Sequence, residues 1–256
     1  MSFVDAHIHL AEQGYAGKIV EILEDVRTND ISCVLSNATD YQTSLETIAL
    51  AKRYEGTVLA AVGVHPSAAT KDDDPHLEKF SALVDENKNW IKAIGEIGLD
   101  GKYAISDRVK TKQRDIFRFF LSLAEERKLP VVVHSRQAPA EVLKALADYR
   151  IPRVLLHWYD GPLENIPLFK KLGYLISIGP VLFYSARIEE IARVAEPNML
   201  LTETDGPVTY RGPFAGQLTK PSFVIQVVHK LAELKGATSN EMRDVVFANL
   251  QRFLNA

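Results

Sequence analysis

The chain has 256 residues, of which 46% are hydrophobic and 25% charged, with 14 Gly and 12 Pro. This excludes disorder, collagen-like repeats and low complexity. Lys plus Arg number 30 against 33 Asp plus Glu, a formal charge of −3, so no global basic field favours non-specific duplex binding. The one cysteine, Cys33, lies in the apolar run 31–35 and reads as a buried core thiol in a reducing compartment. The opening MSFVDAHIHL carries no basic stretch ahead of an apolar one, and no later run reaches membrane-spanning length. The expectation is a cytoplasmic protein that does not engage a membrane.

Short β-branched runs alternate with longer amphipathic segments along the whole chain, the pattern of βα units on a parallel sheet. In order, strands are predicted over 3–9, 31–37, 58–65, 91–97, 131–135, 154–158, 175–179 and 198–205. Helices are predicted over 18–27, 43–53, 76–87, 107–127, 138–148, 163–172, 186–195 and 221–235, with one more closing the chain. In the fourth helix Ile116, Phe119, Phe120 and Leu123 fall at i, i+3, i+4 and i+7 and are expected to cover the sheet. The last helix opens with Thr238 three residues before Glu241, the spacing of a capping box. Eight such units without a linker favour one domain over 1–256, a single (β/α)8 TIM barrel with an extra C-terminal helix, over an open doubly wound sheet.

Five of the seven histidines fall at the C-terminal ends of predicted strands: His7 and His9 on the first, His65 on the third, His134 on the fifth and His157 on the sixth. Glu96 and Asp205 end the fourth and eighth. Barrels carry their active sites on this rim, because strand ends and the loops that follow converge there. His7 and His9 are two apart on a strand and share one face with Asp5 below them, so Asp5 is expected to orient an imidazole by accepting its second N–H. By the same parity Glu203 points inward below Asp205. A lone histidine at a strand end is usually just hydrogen-bonded, but an H-x-H strand joined by further ligand-type residues on one rim points to a metal site. His76 and His229 lie in predicted helices away from the rim and read as structural. His65 precedes Pro66, begins a loop, and is expected to touch substrate.

The motifs DAHIH, GVHP, GEIGLD, PVVVHSR and TETD, in this order at the ends of strands one, three, four, five and eight, resemble the TatD family of metal-dependent hydrolases. The resemblance runs from Phe3 to the final helix, where Asn249 matches a usual Asn. It implies an amidohydrolase-like TIM barrel that binds divalent metals, in a family that includes deoxyribonucleases. Residue by residue it implies that His7, His9 and Asp205 hold one metal, His134 and His157 the second, and that Glu96 bridges them. The chain departs from the pattern after the ligands: HWYDGP stands where better-known members read HCF, ETDGP where they read ETDSP, and Gly101 and Lys102 follow GLD in place of an aromatic residue. Every ligand survives, so a binding module that has lost catalysis is disfavoured.

Four neutral imidazoles and two carboxylates around two divalent ions leave a net charge near +2, which favours an anionic substrate, DNA or another phosphodiester. Such a pair of ions suits in-line phosphoryl displacement, with Asp205 as candidate general base alongside the catalytic Glu96. The resemblance to the TatD family implies that this reaction is 3′–5′ exonuclease-like cleavage of single-stranded or terminal DNA. The histidine-rich set favours Zn, Mn, Fe or Ni on ligand chemistry, and family behaviour allows Mg and Mn. Arg136 is a candidate phosphate contact, with a surface ion pair as the alternative, and Trp158 and Tyr159 are candidate stacking platforms at the pocket mouth. The other reading keeps the metals but directs them at a carbonyl, as an amidohydrolase or lactonase acting on a small molecule.

Overall fold

A computed structural model describes residues 1–255. Eight parallel strands follow one another around a nearly closed barrel in chain order: β1 (Phe3–Ile8), β2 (Ile31–Asn37), β3 (Val58–Val62), β4 (Ile91–Gly98), β5 (Val131–His134), β6 (Val154–Leu156), β7 (Leu175–Ile178) and β8 (Leu200–Thr202). All eight lie where the β-branched runs place them, and β2 has the predicted bounds. β3, β6 and β8 are shorter than predicted, so His65, His157, Glu203 and Asp205 stand just beyond the strands. The ladder continues in part past these ends, since His157 N–H donates to the Val133 carbonyl and Glu203 N–H to that of Ile178, each at 3.1 Å.

The seam between β8 and β1 closes at the rim. Asp205 N–H donates to the His7 carbonyl at 2.8 Å and His9 N–H to the Gly206 carbonyl at 2.7 Å. Lower down, the Thr202 hydroxyl donates to the Val4 carbonyl at 2.8 Å. The same backbone bonds that finish the barrel therefore bring His7, His9 and Asp205 together.

The outer layer comprises α1 (Ile19–Thr28), α2 (Tyr41–Arg53), α3 (Leu77–Glu86), α4 (Asp107–Arg127), α5 (Pro139–Leu146), α6 (Ile166–Leu172), α7 (Ala186–Val194), α8 (Phe223–Lys235) and α9 (Ser239–Leu254). The longest, α4, has the predicted bounds and buries Ile116, Phe117, Phe120, Leu121 and Leu123, whereas Phe119 is only half-buried. Phe117 takes the place expected for Phe119 because the covered stripe is wider than one i, i+3, i+4 series. The capping box of α9 is formed in both directions between Thr238 and Glu241. Cys33 is buried, and no helix among the described residues is long and apolar enough to cross a membrane.

α9 docks on the closing strand through Asn249, which is 2% exposed. Its Nδ2 donates to the carbonyls of Pro197 at 2.8 Å and Leu200 at 2.7 Å. Removing a buried group with two such bonds strands their acceptors. Asn249→Ala is expected to lower stability by about 1–3 kcal/mol, read as a lower melting temperature, and an unchanged melting curve would contradict this docking role.

Candidate metal centre

Six side chains from five strand ends converge on the C-terminal rim. His7, His9, Glu96, His157 and Asp205 are buried and His134 is half-buried. Around Glu96 Oε2 stand His9 Nε2 at 3.4 Å and His7 Nε2 at 3.6 Å. The two Nε2 atoms are 3.1 Å apart, and Asp205 Oδ1 lies 3.1 Å from His9 and 3.4 Å from His7. Four donors about 2.1 Å from one tetrahedral ion would be about 3.4 Å from each other, so these separations fit a divalent cation.

The other oxygen of Glu96 serves a different group. Oε1 lies 2.7 Å from His157 Nε2 and 2.8 Å from His134 Nδ1, and these two ring nitrogens are 3.2 Å apart. One carboxylate thus joins two clusters. The second has fewer protein donors and faces a cavity of about 290 Å³ whose lining includes His134, Arg136, His157, Trp158 and Asp205.

Two of the imidazoles, His9 and His134, are aimed by hydrogen bonds on their other side. His9 Nδ1 donates to the Asn37 carbonyl at 2.8 Å, which leaves Nε2 bare for the cluster. His134 Nε2 donates to Asp100 Oδ2 at 2.7 Å. His157 Nδ1 lies 3.5 Å from Glu203 Oε2, an electrostatic contact longer than a good hydrogen bond. His7 stacks on His157 with ring centroids 3.9 Å apart, and its Nδ1 has no partner among the described residues. Close approach at the second cluster depends on Gly98, whose φ is +143° and where a Cβ would lie 2.1 Å from the His134 carbonyl oxygen.

The electrostatics describe a site that demands positive charge. Burial works against a charged His9, yet its bond to the Asp205 carboxylate and the charge of Glu96 raise it to about 9. His157 is likewise raised, against burial, by Glu96 and Glu203. Burial opposes ionisation of Glu96 and Asp205, but the surrounding imidazoles hold both carboxyls below their ordinary range. Without a cation, protons on His9, His134 and His157, all raised, balance the acids; a divalent ion would replace those protons.

His65 stands beside Glu96 Oε1 at 3.7 Å. Its Nδ1 accepts the Ser67 N–H at 3.1 Å, so the neutral ring carries its proton on Nε2. Burial pushes its pKa down to about 4, which Glu96 only partly offsets. A neutral ring with an N–H directed at the centre is a hydrogen-bond donor.

Two expectations are corrected and one, the inward Glu203, holds. Asp5 does not reach an imidazole nitrogen; it accepts from the His7 N–H at 3.2 Å, the Thr204 N–H at 3.0 Å and the Thr204 hydroxyl, clipping β1 to the segment after β8. Tyr159 is not at the pocket mouth. It is 1% exposed, packs edge-on against Phe169 at 4.9 Å and donates to the Pro162 carbonyl at 2.8 Å. The cause is Trp158, whose φ of +40° turns the chain so that the next side chain enters the core. Glu203 does lie inside, accepting from the Trp158 N–H at 3.0 Å and the Ser177 hydroxyl at 2.6 Å.

The residue sequence reasoning missed is Asp100, the last of GEIGLD. Its Oδ2 accepts from His134, from Arg136 Nε at 2.9 Å and from Arg136 Nη2 at 2.7 Å, while Oδ1 accepts the Lys102 N–H at 2.8 Å. Arg136 is therefore the partner of a buried acid as well as a wall of the cavity, and its guanidinium also sits 5.1 Å over Tyr103. Asp100→Asn keeps the volume but removes the charge that orients His134. It is expected to weaken divalent-ion binding by about 10–100-fold with the fold intact, measured by competition with a chromophoric chelator; unchanged affinity would contradict the role.

Comparison with known proteins identifies the family. The family model described as TatD related DNase matches residues 4–255. An uncharacterized metal-dependent hydrolase of Methanocaldococcus jannaschii is 32% identical over 99% of this chain and 97% of its own. The deoxyribonuclease TATDN3 of Homo sapiens is 26% identical over 97% of this chain and 93% of its own. The crystal structure of YjjV, a TatD homolog from Escherichia coli, superposes with a TM-score of 0.90 at 27% identity, covering 99% of this chain and 98% of that one. The chain belongs to the TatD family of metal-dependent hydrolases.

Proposed function

We propose that the chain is a two-metal phosphodiesterase, a deoxyribonuclease that removes nucleotides from single-stranded or terminal DNA in a 3′–5′ direction, with one catalytic domain over 1–256. The reducing cytoplasm is the compartment that suits the buried free Cys33. The observation that carries the proposal is the division of Glu96, with Oε2 among His7, His9 and Asp205 and Oε1 between His134 and His157. In this reading His7, His9 and Asp205 would hold one divalent ion and His134 and His157 another, with one oxygen of Glu96 turned toward each group. Zn or Mn suits so many imidazoles, while Mg would favour more oxygen donors. When bound, the two ions supply Lewis-acid stabilisation and acidified water for in-line displacement at phosphorus.

The chain's own residues account for the remaining steps. Asp205 faces the histidines through Oδ1 and lines the cavity, so its other oxygen, Oδ2, is available to take the proton of the attacking water. His65 donates its Nε2 proton to a non-bridging phosphate oxygen. Arg136, held by Asp100 and Tyr103, offers its unpaired N–H groups to the same anion. Trp158 supplies a flat apolar wall for the group attached to the phosphate. The name of the human relative, a deoxyribonuclease, supports DNA as the polymer.

Metal-replete protein is expected to turn over single-stranded oligonucleotides well ahead of a panel of amides and lactones. Preference for the carbonyl panel would establish the amidohydrolase or lactonase reading instead. Chelation should abolish turnover and re-addition of Mn or Zn restore it. Asp205→Asn is expected to cut kcat by about 100-fold or more, in the range of general-base loss; hydrolysis that persists at full metal occupancy would show that another group takes the proton.

A further inference from the structure

The wall of the cavity contains two residues that metal-dependent chemistry does not require. Trp158 adopts φ +40°, a conformation that a bulky side chain avoids unless its surroundings impose it. Its N–H is fixed by Glu203 Oε1 at 3.0 Å, and its ring stacks on Tyr210 at 6.0 Å between centroids with an interplanar angle of 29°. The Tyr210 hydroxyl in turn donates to the Thr204 carbonyl, one residue before Asp205. Backbone and ring are therefore held from both sides, and the indole is a rigid platform beside two of the metal-type residues, His157 and Asp205.

Two positions further on, Asp160 is exposed and also lines the cavity. It makes no hydrogen bond or ion pair with any described residue, unlike Asp100 and Glu203 nearby. A free carboxylate on the wall of an anion-binding cavity repels a bare anion. It becomes favourable only if the ligand carries hydrogen-bond donors on the part that lies against it. The cavity, about 290 Å³, is at the small end of ligand pockets and suits one phosphate-bearing unit. Its ligand has to combine an anionic end, toward the metal donors and Arg136, with a planar ring bearing N–H groups.

We infer that Trp158 and Asp160 form a ring-reading subsite that favours nucleobases with an amino group where thymine carries O4, namely adenine at N6 and cytosine at N4, over thymine. This inference rests on the phosphodiesterase reading for its chemistry but not for its binding step. Trp158 stacks on any base, because every base offers a π face. Asp160 accepts from the amino group of adenine or cytosine, whereas thymine presents an acceptor at the corresponding position and is opposed.

The test pairs binding with turnover on the metal-loaded protein. The chain has two tryptophans, and Trp90 precedes β4 at the far end of the barrel, so quenching that disappears in Trp158→Phe reports this subsite. We expect dAMP and dCMP to quench at about tenfold lower concentration than dTMP. Oligonucleotides ending in dA or dC should show a similar advantage in kcat/KM over those ending in dT. Asp160→Asn, whose amide both donates and accepts, should flatten or invert both preferences, and Trp158→Ala should raise KM for all ends. Equal affinities in the wild type, or a preference that survives Asp160→Asn, would overturn the subsite even if oligonucleotides are cleaved. Selective binding without cleavage of any phosphodiester would sustain the subsite and overturn the phosphodiesterase reading.

Discussion

A single buried carboxylate governs the rest of this structure. Glu96 is 2% exposed and stands among five imidazoles, those of His7, His9, His65, His134 and His157, in a place where an unpaired charge would be prohibitively costly. His9, His134 and His157 answer it with protons when no cation is present and would offer bare ring nitrogens to one. Everything that aims those nitrogens serves this balance: the Asn37 carbonyl behind His9, Asp100 behind His134 and Glu203 beside His157. The same network distributes acids and rings so that both oxygens of Glu96 have partners of their own.

The barrel supplies the convergence at little cost in special structure. Parallel strands with the same polarity deliver every C-terminal end to one rim, and the seam bonds between β1 and the segment after β8 close the barrel where His7, His9 and Asp205 meet. Two glycines permit backbone approaches that a side chain would prevent: Gly98 against the His134 carbonyl, and Gly206, where a Cβ would fall 1.8 Å from the Tyr15 hydroxyl. Gly206 stands in the ETDGP motif where the family resemblance implies Ser, and its lack of a side chain leaves room for the buried Tyr15 hydroxyl.

The fold was legible because each βα unit announces itself twice, through a β-branched run and through the period of the helix after it. α4 even had its true limits, since Ser106 caps one end and Lys128, in a left-handed conformation, terminates the other. The metal-type residues were legible because they sit at or just past strand ends, where period and polarity alone decide the rim. Legibility failed once the chain left the strands. Two-residue parity cannot anticipate the turn at Trp158, which sends Tyr159 into the core. Nor could it reveal that Asp5 satisfies backbone and hydroxyl donors at the seam instead of an imidazole. Asp100 went unassigned for the same reason, as its partners, His134 and Arg136, lie on the loop and strand of the next unit.

The central claim is that one carboxylate holds two divalent ions side by side. Electron paramagnetic resonance of the protein titrated with Mn(II) addresses it directly, because ions sharing a bridge couple magnetically. The account predicts saturation at two ions per chain with a coupled-pair spectrum that is lost in Glu96→Ala. Saturation at one ion, or two ions giving only the spectrum of isolated Mn(II), would contradict it.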